Sequence, residues 1–404
     1  MTIRSRALRY LQPALLVAAL LQASGAFALS PDLRIGQLYR TAWKTQDGAP
    51  TAIESLAQTN DGYVWLAASA GLFRFDGVRF ERIHSVGGQR LPSSNIMRLF
   101  ASRSGGLWVG YRFGGASFID NGAVASYGER EGLGSGSVTG FAEDSSGVVW
   151  ATTARGLKRF DGSRWEDIRE RLNLPSEYVK SLHVARDGTL WIVIGRSVMS
   201  LRQGQTAFSA TDIETSEAET DFVEAPDGTL WLTDASRGAR VVYAPNRATP
   251  VRQDWTALRD ARGETLWGKL IDRDGMLWMS SSSGIHRLGD VARLLDHHFA
   301  DESLTEVYSS IDGLSSPFAS AFLEDREGNV WIGTAGGVER LRESRLTPVQ
   351  LPRAADGFPI APADAGALLV GIDSSDGVFE VTGSASAGAM GGPQYVTSGY
   401  RADN

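Results

Sequence analysis

One phrase, written seven times, constrains this chain more than anything else in it. Its first copy is Asn60-Asp61-Gly62-Tyr63-Val64-Trp65-Leu66-Ala67-Ala68, followed by Gly71-Leu72-Phe73-Arg74-Phe75. A turn dipeptide precedes a short apolar strand carrying Trp, and a Gly then opens a second strand, so one copy reads as a β-hairpin. The turn dipeptides are Asp61-Gly62, Gly105-Gly106, Ser146-Gly147, Asp187-Gly188, Asp227-Gly228, Asp274-Gly275 and Glu327-Gly328. They lead to Trp65, Trp108, Trp150, Trp191, Trp231, Trp278 and Trp331, in steps of 43, 42, 41, 40, 47 and 53 residues. A period near 40 built from short strands predicts the blades of a β-propeller. A single blade cannot cover both faces of its own sheet; stacking on its neighbours does so, and ring closure removes the free ends. The expected fold is all-β: a seven-bladed β-propeller of four-stranded antiparallel blades over residues 35–345, with a partial extra blade at the C-terminus.

The first blade shows the plan. Strands are expected at Ile53 to Gln58, Val64 to Ala68, Gly71 to Phe75 and Arg79 to Ile83, with hairpin turns at Asp61-Gly62 and Asp76-Gly77. Gly and Pro punctuate the loops that cross from one blade to the next, as in Leu91-Pro92, Glu131-Gly132-Leu133 and Asp312-Gly313-Leu314. The segment Leu38 to Lys44 matches a fourth strand with no first three of its own, so it is expected to close the ring as the outer strand of the blade containing Trp331. Residues 203–222 and 240–268 carry longer, more polar connections. Residues 346–382 repeat the turn-and-strand phrase with Leu369 in the Trp slot, which predicts a degenerate extra blade or the start of a second propeller. Residues 383–404, rich in Gly, Ser and Ala, read as a disordered tail.

Residues 1–28 have the form of a secretory signal peptide. Arg4, Arg6 and Arg9 precede an apolar run from Ala14 to Leu21, and Ala26-Phe27-Ala28 offers a cleavage site. The run is short for a membrane span, which needs ~20 apolar residues. Cleavage after Ala28 predicts export, with the periplasm as destination. It leaves 37 basic and 47 acidic side chains, a net charge of −10, which argues against nucleic acid or an anionic membrane as partner. With no Cys in the chain, the exported fold is held by packing alone.

The repeated positions leave little for catalysis. His84, His183, His286, His297 and His298 show no metal-ligand spacing, and the turn Asp residues have local roles rather than the ligand density Ca²⁺ requires. Neither a metal nor a cofactor is expected. The seven repeated Trp are expected in the core. Residues that break the pattern are better ligand candidates: Tyr111, Arg112 and Phe113 after the second strand of blade two, Arg155 and Arg196 at the same edge of later blades, and Tyr178 and Phe318 in crossing loops at the channel mouth. Aromatic faces and guanidinium forks suit polar ligands, and propellers bind where such loops converge.

The segment from Glu324 to Arg340, Glu-Asp-Arg-Glu-Gly-Asn-Val-Trp-Ile-Gly-Thr-Ala-Gly-Gly-Val-Glu-Arg, resembles the two-component regulator propeller repeat, and Trp43 to Pro50 resembles that family's entry segment. The resemblance spans roughly residues 35–345. It implies the periplasmic sensor region of hybrid histidine kinase or diguanylate cyclase receptors. In these, two seven-bladed propellers typically precede a β-sandwich, a membrane helix and the signalling module, and related members detect oligosaccharides. The sequence has no kinase or cyclase signature, so the expectation is a truncated or stand-alone sensor without its own output module, with a small ligand such as an oligosaccharide and a membrane-bound signalling protein as partners. Two alternatives stand beside it. One is a propeller lyase or hydrolase using Glu177, Tyr178 and His183 at the channel; the other is a protein-binding scaffold.

Overall fold

In three blades an Asp three residues before the turn Gly is bonded directly to the repeated Trp. In the computed structural model Asp144 Oδ2 accepts the indole N–H of Trp150 at 2.9 Å, Asp272 that of Trp278 at 2.7 Å and Asp325 that of Trp331 at 2.7 Å. In blade one Thr59 Oγ1 takes the same place toward Trp65, at 2.8 Å. The turn acid therefore both orders its loop and satisfies the one polar atom of a buried ring. All seven repeated Trp are buried. In blade two the turn is made at Gly105, with φ +109°, which restores the three-residue step to Trp108.

The structure describes residues 29–31, 33–175, 177–245, 255, 257–259, 263–291, 305–343 and short strands at 360–362, 368–371, 378–381 and 387–389. Residues 1–28, read as a leader, lie outside this set. The described chain forms seven antiparallel blades. Blade one is Ile53–Gln58, Val64–Ala68, Gly71–Phe75 and Phe80–Ile83, paired in that order. Blades two, three, four and six are also four-stranded, and three strands of blade five are described, Thr220–Glu224, Leu230–Asp234 and Gly238–Tyr243. Blade seven supplies Ala319–Glu324, Val330–Thr334 and Gly337–Arg342, and its outer strand is Tyr39–Lys44 from the N-terminus, in register Tyr39 with Arg342 through Lys44 with Gly337. The innermost strands of successive blades pack on one another all the way round, blade one on blade seven included. The ring is closed by a strand from the opposite end of the chain, as the segment Leu38 to Lys44 predicts.

A repeated latch joins blades at the turn end. Where Arg stands two residues before the turn Gly, its backbone N–H donates to a side chain at the end of the next blade's first strand. Arg103 meets Glu143 at 2.9 Å, Arg186 meets Glu224 at 2.9 Å, Arg273 meets Glu324 at 2.9 Å and Arg326 meets Gln58 at 2.8 Å. Each guanidinium then reaches a carbonyl of that neighbouring turn: Asp144, Pro226, Asp325 and Thr59 respectively.

C-terminal to the ring, Ile360–Pro362, Leu368–Gly371, Val378–Val381 and Ala387–Ala389 form a four-stranded antiparallel sheet whose strands pair only with one another. Leu369 sits in its second strand, opposite Ala361 and Glu380. The stretch read as a tail contributes the fourth strand at Ala387–Ala389; residues 390–404 lie outside the described set.

Candidate ligand site at the channel mouth

The first strands of the blades carry a backbone device with consequences for the channel. In blade one the pairing shifts between Ile53 and Ser55, so Glu54 is a β-bulge. The same shift bulges Met97, Thr139, Lys180 and Ser320 in blades two, three, four and seven. A bulge leaves its residue outside the ladder and re-aims the side chain. Blade five has no shift, and in blade six the shift falls between Gly268 and Leu270, at Lys269. The residues eleven before the repeated Trp are Glu54, Met97, Thr139, Lys180, Thr220, Trp267 and Ser320, and all seven line one cavity of about 700 Å³ at the channel mouth.

The cavity wall is uneven. On blades four to six it holds Lys180, whose Nζ donates to the Ser216 carbonyl at 2.7 Å and lies 3.5 Å from Glu217, and Lys269, 3.0 Å from Asp221 and 3.7 Å from Glu219. Burial alone would lower the Lys269 pKa; the carboxylates of Asp221 and Glu219 outweigh it and hold the ammonium above its ordinary value. Trp267 meets Phe318 edge to face at 6.1 Å. Among the described residues, Thr220 Oγ1, Ser280 Oγ and Trp267 Nε1 of this wall are buried without a hydrogen-bond partner. A buried donor left without a partner costs free energy.

The candidates named from sequence divide here. Tyr178 and Phe318 both line the cavity, 42% and 46% exposed. Arg112 sits at the rim, 3.9 Å from the channel carboxylate of Glu54. Tyr111 is a correction: it is fully buried in the core, its hydroxyl donates to Ser117 Oγ at 2.9 Å, and burial pushes its pKa up to about 12. Tyr111 is the last residue of its strand, in the inward position that the buried Thr153 and Thr334 fill in blades three and seven, and it packs in the core. Arg155 also stays away from the cavity, held to the carbonyl and hydroxyl of Ser135 at 3.4 and 3.3 Å. Phe113 is exposed, and Arg196 bonds the Thr215 carbonyl.

The cluster considered for catalysis does not assemble. Tyr178 precedes the first strand of blade four at the channel mouth, whereas His183 stands five residues along it, roughly 16 Å away at ~3.3 Å per residue. There His183 pairs with Glu224 at 2.9 Å, within the latch to blade five. Glu177 lies against the backbone of Gly195. His297 and His298 lie outside the described residues.

Residues 313–336 match the sequence model of the two-component regulator propeller, and the chain carries that family's repeat. No curated protein matches the sequence. Among solved structures, the chain is similar to the extracellular domain of the putative hybrid two component system BT3049 from B. thetaiotaomicron, at 17% identity and a TM-score of 0.63 over 90% of this chain and 50% of that one. The chain thus spans about half the length of that domain. It is also similar to virginiamycin B lyase from Staphylococcus aureus, solved in a catalytically inactive form with quinupristin, at 15% identity and a TM-score of 0.54 over 76% and 99% of the two chains. A third likeness is to YCF48 bound to D1 peptide, at 15% identity and a TM-score of 0.55 over 78% and 97%. At these identities the likeness establishes the propeller fold. Among the described residues no helix is long and apolar enough to cross a membrane.

Proposed function

We propose that this chain is the ligand-sensing propeller of a two-component-type receptor, that it works in the periplasm after cleavage of its leader, and that it binds a small polar ligand, an oligosaccharide, without converting it. The observation that carries the reading is the channel mouth, where Trp267, Phe318 and Tyr178 present aromatic surface beside the polar side chains of Glu54, Thr139 and Ser320. A sugar ring offers apolar C–H faces to the rings and hydroxyls to those side chains. The repeat family supports a sensor, and the similar domain from B. thetaiotaomicron is extracellular. Export is supported by the sequence of residues 1–28, with Arg4, Arg6 and Arg9 before the apolar run Ala14 to Leu21. The Lys180 and Lys269 ion pairs fix the cavity wall so that the bound ligand meets a preorganised surface. The signal passes to a membrane-bound signalling module, and nucleic acid is not a partner.

The test is a carbohydrate panel titrated calorimetrically against the protein, followed by mass analysis of the recovered sugar. The expected outcome is saturable binding of at least one oligosaccharide, recovered intact, with affinity reduced at least about tenfold by Trp267→Ala. Cleaved or eliminated product would overturn the reading in favour of an enzyme, and binding untouched by Trp267→Ala would place the site elsewhere.

A further inference from the structure

Blade one carries an element that the repeat does not call for. After its fourth strand the chain makes a miniature hairpin, Ser85–Val86 paired with Gln89–Arg90, the one two-stranded sheet among the described residues. It turns at Gly87, with φ +56°, where a Cβ would lie 2.6 Å from the carbonyl oxygen of Gly122 in blade two. Only glycine allows both that dihedral and that approach. Val86 and Leu91 pack on the core shared by blades one and two, and the Leu91 N–H donates to the His84 carbonyl at 3.0 Å. The hairpin is therefore fixed to two blades rather than a loose excursion.

Beneath it lies a groove of about 570 Å³, bounded by the Gly71 end of the third strand and the loop from Leu91 to Ser94. Its basic lining is Arg82, His84 and Arg90, accompanied by the hydroxyls of Ser85, Ser93 and Ser94; no Asp or Glu lines it. That is unusual for a chain with 47 acidic and 40 basic side chains, and the channel mouth is its opposite, each lysine there facing carboxylates. The Arg82 guanidinium donates to the Ala70 carbonyl. The side chains of Arg90 and His84 meet no hydrogen-bond or ion-pair partner among the described residues.

We propose that this groove is a second binding site, which takes the tetrahedral oxyanion of a phosphate or sulfate ester. Guanidinium forks and hydroxyl donors approaching from separate elements match an oxyanion with three or four acceptor oxygens, and charge-assisted bonds of this kind are the strong ones. A planar carboxylate, with two oxygens, uses fewer of them. Leu72 and Pro92 leave apolar surface for the remainder of the molecule.

The experiment is isothermal titration of the full chain at low ionic strength with inorganic phosphate, glucose 6-phosphate, glucose 6-sulfate, acetate and glucose. Saturable one-site binding of the phosphorylated or the sulfated probe, weaker or absent for acetate and absent for glucose, is the expected result. Arg90→Gln should weaken it about tenfold, and Arg82→Gln with Arg90→Gln should abolish it. Trp267→Ala at the channel should leave it unchanged, so this site and the sensor reading stand or fall separately. No saturable binding of phosphate or of either ester, or undiminished binding by the double variant, would overturn the proposal. Should the double variant melt early, Arg90→Gln decides alone, since its side chain has no partner among the described residues to lose.

Discussion

Asp144 and Asp272 hold equivalent places, each accepting the indole N–H of its blade's Trp, yet their charges are placed differently. Burial pushes the Asp144 carboxyl up, but bonds from Ser146, Trp150 and the Val148 N–H more than offset this and hold it below its ordinary value. Its contribution to stability is therefore present above about pH 4 and lost as pH falls through the lower folded value. Asp272 is buried more deeply, and desolvation outweighs the bonds from Trp278 and Met276, so its pKa is raised. A raised carboxyl favours folding only while protonated, and its charge costs stability at neutral pH. Asp144→Asn should thus destabilise at pH 7, by about 1 kcal/mol, and flatten the loss of stability below pH 4. Asp272→Asn, which keeps an acceptor for the indole, should be milder at pH 7. Thermal melts across pH 3–8 check both; equal effects at pH 7 would show that the two carboxyls are not differently buried. At this scale the sequence was half legible. Turn chemistry placed each hairpin, whereas the bond of Asp144, an acid outside the turn dipeptide, to a Trp six residues on was not legible, and Tyr111 misled because a strand-end aromatic looks the same buried or exposed.

The blade strands were readable to within a residue because hairpin turns and Trp mark them; Ile53–Gln58, Val64–Ala68 and Gly71–Phe75 stand where the pattern places them. The bulges were not. Their occupants, Glu54, Met97, Thr139, Lys180 and Ser320, share no chemistry, and a bulge breaks the alternation from which a strand's faces are read. The one signal available was distance, eleven residues before each Trp, and it becomes meaningful only once the first strand is known to line the channel. Closure of the ring depends on one glycine. Gly337 has φ +153°, and a Cβ there would lie 2.2 Å from the carbonyl oxygen of Trp43 on the closing strand. Gly337→Ala should strain that dihedral and push the strand away, lowering stability by about 1–3 kcal/mol. An unchanged melting temperature would mean that the closing strand is not held in this register.

Across the whole molecule the N-terminal segment does more than add a strand. Leu29, Ile35 and Leu38 are buried with Trp278, Leu314 and Ile332 between blades six and seven. Arg287, fully buried, donates to the carbonyls of Leu33, Ser30 and Leu29 at 2.6, 3.0 and 3.3 Å. It lies over the Trp278 ring at 5.5 Å. This clasp was invisible in sequence, since Arg287 occupies an ordinary third-strand position and its partners are backbone atoms some 250 residues away. Arg287→Met should leave those carbonyls without a donor, cost about 1–3 kcal/mol, and release residues 29–38 to fast amide exchange while blades two to four stay protected.

If a small ligand is held at the channel mouth by the wall of blades four to six, hydrogen–deuterium exchange with and without a bound oligosaccharide will show it. Added protection is expected in peptides containing Lys180, Thr220, Asp221, Trp267, Lys269 and Phe318, with the turn end of the ring unchanged. Protection at the turn end or on the outer strands, with these peptides unaffected despite measured binding, would contradict it.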